Sequence, residues 1–202
     1  MITIHVESAQ MNRRLGELQR LTQRPRSLMQ AAARAVRSDL LQHFRVRDRT
    51  PNALGGERTH FWAEVARSTQ IGRVEPNWAS VVIGDRRFAL RVFGGTVVPK
   101  ARKALTIPVH PEAHGKTAGE VEMAGGRKLF VWRPKGRLGA FLARSLGDQL
   151  QVLYALKQSA QHPPDPAAMP PRGQLEASAI RAAERQLESE IRRQSLGPAP
   201  LA

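Results

Sequence analysis

From residue 27 to 47 the apolar side chains fall four apart, at Leu28, Ala32, Val36, Leu40 and Phe44, with Met29, Ala33 and Leu41 alongside. The spacing predicts an amphipathic helix of about five turns, with one stripe buried against a sheet or another helix. Pro25 suits the first turn of such a helix. Upstream, residues 1–6 alternate apolar and polar and predict a short strand. Met11, Leu15, Leu18 and Leu21 then follow helical spacing, weakened by Gly16. Residues 60–68 read as a short helix capped by Thr59, with Phe61, Trp62 and Val65 inward. Two strands, 71–74 and 78–83, flank the turn Glu75-Pro76-Asn77.

The chain is organised around residues 88–109. An apolar run, a strand or short helix, leads into Gly94-Gly95, where positive φ and close backbone approach are allowed. A short strand, the basic turn 100–103 and a second apolar run follow. Pro108 in that run implies a sheet edge or a strand end, because proline cannot complete a central ladder. Residues 110–127 show no strong period and read as an excursion, partly helical at most. Segments 129–132, 138–143 and 150–156 then predict an antiparallel meander with short turns. The prolines at 163, 164, 166, 170 and 171 predict a stiff, extended linker of roughly 30 Å. Leu175, Ile180, Leu187 and Ile191 mark a narrow-striped final helix.

The sum is an α+β protein: an antiparallel sheet packed by a long amphipathic helix, with a proline-linked C-terminal helix. Residues 1–162 form the body, 163–172 the linker, and 173–202 the helix and tail. On this reading the last helix reaches a neighbouring subunit through Leu175, Ile180, Leu187 and Ile191. Acidic Glu184 and Glu188, with Glu176 and Glu190, meet the neighbour's arginines. Folding back onto its own body is the competing account.

The segment GGTVVPKARKALTIPV, residues 94–109, resembles part of the virion-morphogenesis, or tail-completion, proteins of Mu-like and related tailed phages. The matching positions are Gly94, Gly95, Thr96, Pro99, Lys100, Leu105, Ile107 and Pro108, which shape a turn and are not catalytic. The resemblance implies a structural virion protein, a neck or tail-completion component forming a ring of six or twelve copies at the head–tail junction. It implies other neck and tail proteins as partners, non-specific contact with DNA in the channel, and assembly in the host cytoplasm.

Charge adds a second reading. The chain has 32 Lys+Arg against 17 Asp+Glu, a formal charge of +15. Residues 163–202 hold five of each sign, so the excess lies wholly in the first 162 residues. Such a surface suits nucleic acid or an acidic protein, making a basic nucleic-acid-binding protein the alternative function. Of the cations, 26 are arginine, a bias that a GC-rich genome produces by itself.

Candidate chemistry is thin. The chain has no cysteine, hence no disulfide or thiolate site. His110 and His114 are four apart, but Pro111 intervenes and no third ligand is implied. Gly115-Lys116-Thr117 looks like the end of a phosphate loop whose first glycine is replaced by His110. No nucleophile elbow is present. Trp132, beside Arg133, Lys135 and Arg137, either stacks on a base or sits at a hairpin tip with its charges in water. The expectation is a non-enzyme with no catalytic residues, cofactor or metal. No run is long enough to span a membrane, and the N-terminus lacks a signal-peptide layout, so a soluble protein retained in a cytoplasm is expected.

Overall fold

The computed structural model describes residues 2–4, 9–51, 57–136 and 139–195. In chain order the elements are β1 (Ile2–Ile4), α1 (Ala9–Arg20), α2 (Pro25–Asp48), α3 (Phe61–Arg67), β2 (Thr69–Val74), β3 (Ala79–Ile83), α4 (Arg86–Phe93), β4 (Gly95–Val97) and β5 (Leu105–Pro108). After a 3₁₀ turn at Pro111–Ala113 come α5 (Ala118–Gly125), β6 (Phe130–Trp132), β7 (Ala140–Leu146), β8 (Gln149–Lys157), β9 (Ala160–His162) and α6 (Arg172–Ser195). The protein is α+β. Its strands form three antiparallel sheets, and the chain divides into two compact units.

The first unit comprises Met1–Arg47, Trp62–Val92 and Asp165–Ala202. Its sheet has the order β1-β3-β2. The stripe of α2 is buried as its spacing predicts, with Leu28, Leu40 and Phe44 wholly inaccessible. Phe44 meets Phe88 edge-on at 5.4 Å and stacks on Trp62 at 5.9 Å. The Arg47 guanidinium lies 4.7 Å from the centre of the Trp62 ring. From α2, Arg37 Nε also donates to the Thr69 carbonyl at 3.0 Å, tying the helix to β2.

Two expectations fail here. The division into body, linker and appended helix does not hold, because α6 packs along α1 inside the first unit. Leu175, Ala179, Ala183 and Leu187 are buried, as are Met11, Leu15 and Leu18 of α1. Two stripes repeating nearly every turn can dry each other within one chain, so the helix needs no neighbour. Glu184 pairs in cis with Arg14 at 3.1 Å, and Glu176 with Arg172 on its own helix at 2.7 Å. Ile180 is half-buried, while Glu188 and Ile191 stay exposed.

Nor is the proline-rich segment a free tether. Asp165 pairs with Arg47, its backbone N–H donates to the Arg91 carbonyl at 2.7 Å, and Ala168 is buried. The His43 ring lies 2.9 Å from the Ala167 carbonyl. Proline stiffened the segment, but polar groups at Asp165 and Ala167 pin it down.

Glu190 closes the first unit. Its carboxylate accepts from Thr22 Oγ1 at 2.6 Å, from Gln186 Nε2 at 3.0 Å, and from Ser27 Oγ. Burial pushes its pKa up, yet hydrogen bonds from Ser27, Thr22 and Gln186 outweigh that and hold the carboxyl below its usual range. A pKa lowered on folding contributes stability above the unfolded value, and that contribution fades as pH falls through the folded one. Urea midpoints should therefore fall as pH drops below about 4.3, the ordinary glutamate value. Glu190→Gln should be less stable at pH 7 but lose less on acidification. An acid limb unchanged in the variant would show that Glu190 does not contribute to it.

The second unit comprises Asp48–Phe61 and Phe93–Pro164. Its four-stranded sheet has the order β5-β8-β7-β6, and β4 pairs with β9 in a separate ribbon. Ala113, Val121, Leu153 and Tyr154 form a buried core, joined by Ala118, Leu129 and Leu142. The meander expected for 129–156 is present as β6, β7 and β8, with Gly147-Asp148 turning the second hairpin. Its middle strand was expected at 138–143; Leu138 lies outside the described residues, and β7 runs on to Leu146. The excursion at 110–127 contains α5, whose N-terminus is a reciprocal cap. Thr117 accepts from the Glu120 N–H, and Glu120 accepts from the Thr117 N–H at 2.6 Å. The Thr117 N–H and then its hydroxyl, both donating to the carboxylate, hold the Glu120 carboxyl below its usual range.

Candidate interaction surface

The segment 94–109 enters the second unit through a tight bend. Gly94 has φ 67° and Gly95 φ 145°. A Cβ on Gly94 would lie 2.7 Å from the His162 carbonyl oxygen and 2.8 Å from Pro164 N. The bend is thus set by backbone packed against backbone, which only glycine permits.

Beyond it, β4 and β5 run opposite β9 and β8. Val97 pairs with Ala160, and the next pair is Leu105 with Lys157. Between those pairs lie residues 98–104 on one side and only 158–159 on the other. The longer side cannot follow the ladder and loops out of it. Val98, Lys100, Arg102 and Lys103 on that loop are exposed, and Pro99 is half-buried. Thr96 lies opposite Gln161 in the ribbon, while Leu105 and Ile107 are partly buried in β5. β5 is an edge strand and Pro108 pairs with Tyr154, so the edge position inferred from proline is the observed one.

Register then brings together cations far apart in sequence. Lys157 ends β8 opposite Leu105, which follows the 98–104 loop. Ala140 at the start of β7 pairs with Leu156, and Trp132 at the end of β6 pairs with Phe141. Arg133 and Lys135, following β6, therefore lie at the same end of the sheet as Lys157 and the loop. Lys100, Arg102, Lys103, Arg133, Lys135 and Lys157 are all exposed, and none forms an ion pair among the described residues. Strands about 4.8 Å apart spread this row over roughly 14 Å from β5 to β6.

Three carboxylates lie toward the sheet's other end. Asp148 is in the β7–β8 turn, Glu122 accepts from the Leu129 N–H at 2.7 Å, and Glu112 pairs with Arg144 at 2.5 Å. Arg144 also donates to Gln151 Oε1 at 2.7 Å, and Gln151 Nε2 lies 3.0 Å from the His110 ring. This half-buried polar cluster is satisfied internally.

Other sites considered from sequence resolve into structural roles. His110 N-caps the 3₁₀ turn and His114 is its C-cap, and no group of three metal-ligating side chains occurs among the described residues. Thr117 caps α5, a helix of eight residues, so Gly115-Lys116-Thr117 is a capped loop. Trp132 is half-buried, its ring 5.9 Å from that of Phe141; Arg137 lies outside the described residues. Sequence reasoning missed Lys157, which stands alone in its strand. The available signal was the absence of acid across residues 86–111, 123–147 and 149–164.

Apolar groups share the ribbon. Phe93 is 72% exposed and Val98 55%. On the open edge strand β6, Phe130 and Val131 are also in solvent. No helix among the described residues is long and apolar enough to cross a membrane. Compared with known protein families, with characterised proteins and with solved structures, the chain has no match.

Proposed function

We propose that the protein is a structural component of a tailed-phage virion, a tail-completion or neck subunit that closes into a ring at the head–tail junction. The observation that carries this reading is the segment 94–109. Of the residues resembling the virion-morphogenesis group, Gly95 and Thr96 lie in an exposed ribbon strand and Pro99 and Lys100 in the looped-out segment that follows, with Phe93, Val97 and Val98 in solvent beside them. Exposed apolar groups in and beside the ribbon are suited to burial against another subunit.

Light scattering and negative-stain microscopy of the purified protein should show a closed ring of six or twelve copies, and the protein should add to tails lacking it. A strict monomer that never joins tails would overturn the proposal. The second reading, a basic nucleic-acid-binding protein acting alone, is favoured by the six exposed cations at one end of the second sheet, which form no ion pair among the described residues. It would replace the first if such a monomer bound DNA with a steep salt dependence.

A further inference from the structure

We infer that the cationic end of the four-stranded sheet is a docking surface for the phosphate backbone of duplex DNA, read without regard to sequence. The charge type distinguishes the unit that carries this surface from the other unit. All six lysines of the chain lie in the second unit, and four of them, Lys100, Lys103, Lys135 and Lys157, lie at this end. Every cation of the first unit is arginine. A compositional bias toward arginine therefore explains the first unit but not this cluster.

Lysine is also the less suitable residue for an acidic protein partner. Protein interfaces are enriched in arginine and depleted in lysine, whereas a lysine ammonium binds phosphate as a point charge on a flexible stem and needs no fixed fork geometry. The row of roughly 14 Å is comparable with the width of the major groove, about 12 Å, so it can reach phosphates on both sides of a groove. Phosphate contacts alone position a protein and carry no sequence information. Neither helix nor strand at this end presents a set of side chains that reads bases. The assignment rests on the nucleic-acid reading above and names its site and ligand. Equal loss in both fourfold variants below would sink the site alone, and absence of binding would sink both. Backbone binding here requires no ring, so the assembly test fails separately.

The experiment uses the full-length protein and a fluorescein-labelled 30-base-pair duplex of arbitrary sequence, titrated between 50 and 300 mM salt. With four to six phosphates contacted, log K should fall against log salt with a slope of about −4 to −5. Replacing Lys100, Lys103, Lys135 and Lys157 together by alanine should weaken binding on the order of 100-fold or more at 150 mM salt and flatten the slope by about 3 to 4. Replacing Arg26, Arg34, Arg45 and Arg67, exposed residues of the first unit, removes the same net charge and should cost less than about fivefold, since the lysine end supplies the phosphate contacts that position the duplex. Lys135→Gln alone should remove roughly 0.9 from the slope, which tests the surface even if the fourfold variant misfolds. Equal losses in the two fourfold variants would overturn the inference, as would a wild-type slope shallower than about −2. So would tighter binding to polyglutamate than to the duplex, which would assign the surface to an acidic protein.

Discussion

A chain ending at Pro164 should not fold its first unit: α1 and α2 should lose their cooperative unfolding transition. The deletion removes Leu175, Ala179, Ala183 and Leu187, all buried, and exposes Met11, Leu15 and Leu18 opposite them. Full burial of one leucine contributes about 1.5–3 kcal/mol, so the lost apolar contacts together exceed 5 kcal/mol. That is comparable with the whole stability of a typical domain. The Glu190 bonds to Thr22 and Ser27 and the Arg47–Asp165 pair disappear as well. Circular dichroism should show reduced helix beyond that of the deleted segment, and urea curves should become shallow. The milder Leu187→Ala should cost about 2–4 kcal/mol. A truncated protein that melts cooperatively with its remaining helix intact would show that α6 is an appendage after all.

Gly94→Val should be the most damaging single change in the second unit. At φ 67° a side chain costs about 1–2 kcal/mol in backbone strain. Its Cβ would also stand 2.7 Å from the His162 carbonyl oxygen and 2.9 Å from Pro164 Cδ. Those are backbone and ring atoms at the end of β9, and they cannot rotate away as a flexible side chain would. Relief requires unpairing β4 from β9, so the total should reach about 3 kcal/mol or more. Gly126 is the control: its φ of 62° is nearly the same, but a Cβ there meets nothing within 4 Å. Gly126→Val should cost only the backbone term. Equal destabilisation of the two variants in urea titrations would mean that conformation, and not the close approach at Gly94, sets the cost.

Local periodicity was enough to place α2, α6 and the strands of the meander, because each repeats its apolar residues at the period of its own geometry. Pro25 at the first turn of α2 and Pro108 on an edge strand were legible for the same reason: proline's missing donor excludes most other places. Position 94 was legible as part of a glycine bend, but which glycine is packed tight was not. That depends on His162 and Pro164, more than sixty residues away.

The sequence by itself determined the α+β class, the order of most elements and the excess of positive charge, since these follow from residue type and short-range spacing; it left 88–93 between strand and helix and did not predict β9. Only the tertiary structure decided where α6 goes. An apolar stripe specifies that a partner exists but not whether that partner is the same chain, and the stripe of α1 settles it. The cationic end of the second sheet has the same origin. Lys100, Lys135 and Lys157 share no local pattern, and antiparallel register alone carries them to one end.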